Sequence, residues 1–178
     1  PTENIYMAAT ASMSLFDAIG GIDKVKFSGL EASGWYVESA KEAMESGAMT
    51  FAGKYSEPDY ERIVSEGCGL AIENTMILHS PEVKEKLEAL GIPVLVERSS
   101  YETHPLGRLE WIRLYGVLFG KEEQADAFYQ EQVAKVEPIM KKDAKTRKEV
   151  AEHCTQYCPC ETGKCGCLSL IHISEPTR

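Results

Sequence analysis

The 178-residue chain is poor in features that several protein classes require. It has no run of about eighteen consecutive apolar residues, the length that a membrane-spanning helix needs. Its 19 basic side chains face 28 acidic ones, for a net charge of -9. Because phosphate binding needs clustered Lys and Arg, this balance argues against nucleic acid as the main partner. The 43% of apolar residues suffices for a core and excludes a wholly disordered chain.

Recognised catalytic motifs are also missing. There is no G-x-S-x-G elbow, no G-x-x-x-x-G-K-[ST] phosphate loop, no H-E-x-x-H metal motif and no G-x-G-x-x-G dinucleotide motif. Asp59 and Glu61 are close in sequence, but at a helix start two carboxylates more often favour the helix dipole than form an acid–base pair. We therefore predict no catalytic residue. An α/β enzyme with an unrecognised site stays open as the alternative.

Charge and cysteine content divide the chain. Residues 1–140 hold 23 acidic and 12 basic side chains, whereas residues 141–178 hold five acidic and seven basic ones. Cys68 is alone in the first part, and the other five cysteines all fall within residues 154–167. Their C-x-C pairs could bind zinc, or form disulfides in an exported protein.

The sequence of the last eleven residues indicates that they are not part of the natural protein. Residues 168–178 (LSLIHISEPTR) resemble the translation of a transposase adapter used in DNA sequencing, and we expect them to be an artefact. We expect residues 143–167 to come from a frameshifted or chimeric read. A genuine cysteine-rich metal-binding module is the alternative for that segment.

Short apolar runs alternate with amphipathic stretches up to residue 118. Five such alternations predict βαβ units, and hence a doubly wound, mainly parallel sheet with helices on both faces. The predicted strands are Ile5–Ala9, Val25–Phe27, Thr50–Ala52, Leu70–Ile72 and Val94–Val96. The predicted helices are Ser12–Ile19, Tyr36–Ser46, Pro58–Ser65 with proline in its first turn, and one started by Ser80-Pro81 and ended by Gly91; after Pro105 the pattern is wholly helical.

A long helix is predicted to follow this α/β domain. Ala125, Phe128 and Val133 recur at helical spacing with charges on the opposite face, which indicates a connecting helix over residues 121–142. Pro138 is expected to kink or end it. The α/β domain itself then comprises residues 1–120.

Ligands of parallel sheets bind at the carboxyl ends of the strands. The loops predicted there carry aromatic rings beside a few cations, which suits a bulky, flat or anionic ligand through stacking and charge-assisted hydrogen bonds. His79 and His104 lie on two of these loops, but without a close third ligand we predict no metal site. The candidate ligand-binding residues are Trp35, Tyr36, Lys54, Tyr55, Met76, Arg98, Tyr101 and His104.

Four segments, taken in order, resemble a known family. They are residues 52–63 (AGKYSEPDYERI), 69–72 (GLAI), 85–94 (EKLEALGIPV) and 116–125 (GVLFGKEEQA). No single segment is specific, but their order is. By this ordered set, the chain resembles the substrate-binding proteins of ABC importers for ferric siderophores, haem and cobalamin, over about residues 5–140.

The resemblance implies a two-lobed protein that holds an iron or cobalt chelate between lobes joined by a stiff helix. Residues 1–120 would be the amino-terminal lobe and residues 121–142 the connecting helix, with the second lobe missing from this sequence. It implies docking on an ABC permease through one glutamate per lobe, and Glu61 occupies the matching position. We expect no cofactor, a monomer, and a location outside the cytoplasm, either periplasmic or lipid-anchored, with the signal segment absent from this sequence.

Two loops depart from the family pattern. Residues 9–14 lack the glutamate usual in the first loop, and residues 97–108 form a longer fifth loop. Both belong to the predicted cleft, so the particular chelate does not carry over from the resemblance. A related group binds free zinc or manganese, and the scarcity of histidine makes that the weaker alternative.

Overall fold

Five parallel strands form the central sheet. The structure, a computed structural model, describes residues 2–157, with side chains to residue 145. The strands are β1 (Ile5–Met7), β2 (Val25–Ser28), β3 (Thr50–Phe51), β4 (Leu70–Glu73) and β5 (Val94–Val96), in the spatial order β3-β2-β1-β4-β5. Because the chain moves outward from β1 and then returns to its other side, the topological switch point lies between β1 and β4.

Helices cover both faces of this sheet, as the sequence predicted. Alternate residues of β1 point to opposite faces, so Ile5 and Met7 join one core cluster and Tyr6 joins the other. The helices are α1 (Thr10–Ala18), α2 (Glu38–Glu45), α3 (Tyr60–Ser65), α4 (Pro81–Ala89), α5 (Pro105–Phe119) and α6 (Glu122–Tyr157). The first cluster contains residues of α1, α2 and α5, and the second contains residues of α3 and α4.

A short hairpin separates β3 from α3. Gly53–Lys54 pairs antiparallel with Glu57–Pro58, and the Asp59 carboxylate accepts the Arg62 N–H to cap α3. The prediction that Pro58 lies in the first turn of this helix is therefore wrong. Gly53 has a φ of 84°, and a Cβ there would lie 2.2 Å from the Glu57 carbonyl oxygen, so the hairpin requires glycine.

The last described helix continues past its proline. Pro138 was predicted to kink or end this helix; it lies inside α6, which runs to Tyr157, so the second alternative is wrong. Charged pairs one turn apart, including Glu137 with Lys141 at 2.7 Å, support the helix around it. The chain divides into two units, one up to Tyr129 and one from Gln130 onward. The side chains of the cysteine-rich segment and all of residues 168–178 lie outside the described residues.

Candidate ligand-binding site

A cavity of about 550 Å³ opens at the carboxyl edge of the sheet. Loops that follow β1, β2 and β3 form it, and Asn74 closes it from the end of β4. It therefore lies at the switch point, where open parallel sheets bind their ligands. Its lining combines apolar and aromatic side chains with two opposite charges; it includes Leu30, Phe51 and Tyr55, with Lys54 and Glu31.

The floor of the cavity depends on a close approach between β1 and the loop after β2. A Cβ on Gly29 would lie 2.9 Å from both the Cα and the Cβ of Ala8, so no larger residue fits. The Gly29 N–H donates to the Met7 carbonyl at 2.8 Å. Across the switch point, the Asn74 side-chain amide donates to the Ala8 carbonyl at 3.0 Å. These contacts fix the ends of β1, β2 and β4 relative to one another.

One wall is held from behind by Trp35. The indole is 3% exposed, and its Nε1–H donates to the Ser28 hydroxyl at 2.9 Å. That hydroxyl also accepts the Leu30 N–H at 3.0 Å and donates to the Leu30 carbonyl at 2.6 Å. Trp35, a predicted ligand residue, therefore packs in the core beneath the wall and does not line the cavity. Its hydrogen bond stabilises the loop that does.

The hairpin supplies two predicted residues to the cavity. Lys54 and Tyr55 both line it, next to Phe51. The Tyr6 hydroxyl donates to the Gly53 carbonyl at 3.0 Å, which anchors the start of the hairpin from the second core cluster. At the base, the Asp59 N–H donates to the Ala52 carbonyl at 2.8 Å. Of the eight candidates, these two are the pair that the structure brings together in the cavity.

The other five candidates lie outside the cavity on loops at the same edge of the sheet. Tyr36 is 99% exposed and Tyr101 is 70% exposed; Met76, Arg98 and His104 are exposed too. The Tyr101 hydroxyl lies 3.0 Å from the Thr75 hydroxyl, and His104 Nδ1 accepts the Leu106 N–H at the start of α5. Their role in ligand binding stays a prediction.

Sequence reasoning missed several lining residues. Leu30, Phe51 and Asn74 all follow or end a strand at the edge where ligands bind. Their position at the carboxyl ends of strands could have identified them. The candidates predicted from the sequence were mainly aromatic and cationic residues of loops, and Phe51 was assigned to the interior of a strand.

Two carboxyl groups are buried at the ends of β4 and β5. Glu73 is 0% exposed, and neither of its carboxyl oxygens has a hydrogen-bond partner among the described residues. Burial raises the pKa of this carboxyl to about 8. Glu97 is 4% exposed, and its Oε1 accepts the Ser99 N–H at 2.5 Å.

Glu61, the predicted docking residue, is exposed in the first turn of α3. Among the described residues it has no ion-pair partner. Across the described part of the chain, no three His, Cys, Asp or Glu side chains group in a way that could hold a metal ion. None of the described helices combines the length and the apolar character needed to cross a membrane.

Comparisons with known proteins agree with this architecture. No protein-family model matches the chain. Over 101 residues it is 24% identical to an uncharacterized lipoprotein of Methanocaldococcus jannaschii; the matched region covers 54% of this chain and 23% of that protein. A periplasmic haem-binding protein from Pseudomonas aeruginosa superposes with a TM-score of 0.59 at 15% identity, over 84% of this chain and 50% of that one.

A periplasmic catecholate-siderophore-binding protein from Vibrio cholerae gives a TM-score of 0.60 at 17% identity, over 83% of this chain and 50% of that one. A petrobactin-binding protein from Bacillus subtilis gives 0.57 at 14% identity, over 84% and 48%. The chain thus spans about half the length of the solved structures that it matches. Over that half, it has the fold of periplasmic haem- and siderophore-binding proteins of ABC importers.

Proposed function

We propose that the chain is the amino-terminal lobe of an extracytoplasmic substrate-binding protein that captures a metal chelate and delivers it to an ABC permease. The observation that carries the proposal is the cavity at the switch point, in a fold whose solved examples bind haem and siderophores. The ligand is an iron siderophore, haem or cobalamin. The periplasmic neighbours and the lipoprotein relative support a periplasmic or lipid-anchored location. We further propose that the protein is a monomer with a binding role and no catalytic one.

The lining of the cavity suits such a ligand. Phe51 and Tyr55 offer ring surface to a flat or aromatic chelate, and the Lys54 ammonium offers a charge partner for a carboxylate or catecholate oxygen. The exposed rim residues Tyr36, Met76, Arg98, Tyr101 and His104 would then contact the outer part of the ligand, opposite a second lobe. The metal would be part of the bound chelate, so the protein is proposed to have no cofactor of its own.

Tryptophan fluorescence tests the ligand class. The chain has two tryptophans, so Trp111→Phe leaves Trp35, packed beneath the cavity wall, as the single reporter. In this background, the 178-residue chain is titrated with a ferric tris-catecholate, haemin and cyanocobalamin. We expect saturable quenching at micromolar concentration or below for one of the three. No response to any of them contradicts the ligand class.

Paired variants locate the binding site. Lys54→Gln is expected to raise the Kd roughly tenfold, because it removes a charge-assisted hydrogen bond to the ligand. Lys84→Gln is the matched control, since Lys84 pairs with Glu88 on the surface of α4, away from the cavity. Equal affinities for the two variants would place the ligand elsewhere.

Permease docking is a separate step with its own test. Glu61→Ala is expected to leave ligand affinity unchanged and to lower uptake in cells that carry the cognate permease. Glu85→Ala, an equally exposed change on α4, controls for loss of surface charge. Uptake by Glu61→Ala that equals uptake by Glu85→Ala would refute the docking role while leaving the ligand proposal intact.

A further inference from the structure

Glu73 is a buried residue at the end of β4, directly before the cavity-lining Asn74. Among the described residues it is the one carboxyl whose two oxygens are both buried without a hydrogen-bond partner. The next residue, Asn74, lines the cavity and ties β4 to β1. An ionised carboxylate in such a place must acquire a donor, because a buried charge without hydrogen bonds is strongly disfavoured.

The donors available to Glu73 are few. Strand alternation places its side chain on the same face as Ala71, in the second core cluster. The pKa of Tyr6 is raised by burial and then by Glu73, and the same two causes raise the pKa of Tyr60. The titratable and charged groups on this face, element by element, are Tyr6 of β1, Tyr55 of the hairpin, Cys68 before β4, Tyr60 of α3, and Glu82 and Lys86 of α4, with Lys86 Nζ 3.8 Å from the Tyr60 ring centre.

The Tyr6 hydroxyl connects this carboxyl to the cavity. Its single proton is donated to the Gly53 carbonyl, where the hairpin begins. The next two residues, Lys54 and Tyr55, line the cavity. One O–H cannot serve two acceptors, so an ionised Glu73 that accepted this hydrogen bond would take it from the hairpin.

We propose that Glu73 is a positioning residue for the cavity: as the neutral acid it leaves the Tyr6 hydroxyl on Gly53, and when it loses its proton to solvent it draws that hydroxyl away and releases the hairpin. Ligand capture thereby becomes dependent on pH. The pH dependence of ligand capture rests on the proposed function, whereas the release of the hairpin does not.

The size of the effect follows from the titration. With a pKa of about 8, Glu73 is neutral at pH 6.5 and only about one tenth neutral at pH 9. If only the neutral form holds Lys54 and Tyr55 in place, the apparent Kd rises about tenfold between these values. The sign is fixed: binding weakens as pH rises.

Hydrogen exchange on the unliganded 178-residue chain tests the switch without any ligand. The reporter is the Asp59 amide, which closes the base of the hairpin on Ala52. After correction for intrinsic exchange, we expect its protection to fall about tenfold from pH 6.5 to 9 in the wild type and to stay level in Glu73→Gln. Glu97→Gln is the matched control and keeps the wild-type fall. A parallel fall in wild type and Glu73→Gln, or none in either, overturns the proposal.

Haemin titration of the same proteins at both pH values adds the ligand readout. A tenfold weakening in the wild type that Glu73→Gln abolishes supports the coupling; equal weakening in both overturns it. If haemin does not bind at pH 6.5, the ferric tris-catecholate and cyanocobalamin replace it; binding of none of the three contradicts the proposed function, and the exchange data still test the release of the hairpin. Should Glu73→Gln not fold, Tyr6→Phe replaces it: hairpin protection is then expected to be low at both pH values, and a persisting pH step would exclude the route through Tyr6.

Discussion

Two neighbouring carboxyl groups are both buried but differ in their hydrogen-bond partners. Glu97 has a backbone donor, the Ser99 N–H, whereas Glu73 has none, although the Glu97 N–H donates to the Glu73 carbonyl at 2.8 Å. Both are almost completely buried. At equal burial, the two carboxyl groups thus differ in the local supply of hydrogen-bond donors, on which the cost of a buried charge depends.

The same contrast extends to the two faces of the sheet. On the first face, the buried hydroxyls of Ser12 and Tyr115 satisfy each other at 2.7 Å beneath α5. On the second face, the Tyr6 hydroxyl is committed to the hairpin and Glu73 is left unpartnered. The first face therefore serves stability, and the second combines stability with a group that responds to pH.

The largest effect is expected on the first face. Phe16 is fully buried, and its ring centre lies 4.9 Å from that of Tyr115 and 4.8 Å from that of Phe119. Phe16→Ala should lower the free energy of unfolding by about 4 kcal/mol, because it leaves a cavity among rigid rings. Urea denaturation at pH 6 measures the loss. A loss below about 1 kcal/mol would mean that this face repacks freely.

The next effect belongs to Glu73 and depends on pH. Its pKa is about 8 in the folded chain and 4.5 as the ordinary value, so its favourable contribution is complete below pH 4.5 and is lost as pH rises towards 8. Between pH 5 and 8 the wild type should lose roughly 3 kcal/mol relative to Glu73→Gln. Urea titrations of both proteins at several pH values measure the difference. If the stability of the two proteins changed in parallel with pH, the pKa of Glu73 would be the same in the folded and the unfolded chain, which contradicts the prediction.

Much of the fold could be predicted because its strands are short, apolar and buried on both faces. Val94–Val96 was predicted with the bounds that the structure has. The hairpin was missed because strands of two residues, Gly53–Lys54 and Glu57–Pro58, have no periodicity to detect. The helical pattern around Pro138 was predicted, but the proline was expected to kink or end the helix; it does not end α6, because neighbouring turns offset the effect of one proline.

The site was harder to predict than the fold. Lys54 and Tyr55 were found because polar and aromatic residues in a loop stand out. Trp35 has the same signal in sequence, yet its ring packs inward on Ser28, since only the fold decides which way a loop aromatic points. Glu73 could not be noticed, because a glutamate at a strand end looks like a surface residue until the helices that bury it are in place.

A smaller effect is expected at Glu97. Glu97→Ala leaves the Ser99 N–H buried without an acceptor and should cost about 2 kcal/mol at pH 7. Glu97→Gln keeps an acceptor oxygen and should cost less than about 0.5 kcal/mol. Equal losses for the two variants would mean that charge, and not the hydrogen bond, stabilises this carboxyl, and the contrast with Glu73 would need another cause.

The smallest effect isolates the hydroxyl pair on the first face. Ser12→Ala leaves the Tyr115 hydroxyl buried and unpaired, and is expected to cost about 1 kcal/mol relative to Ser14→Ala, an exposed change in the same helix that shares the gain in helix propensity. Removing both partners, in Ser12→Ala with Tyr115→Phe, should recover most of that loss, because no unpaired polar group remains. Additive losses in this double-mutant cycle would show that the two hydroxyls stabilise the fold independently, and the first face would then owe its stability to ring packing alone.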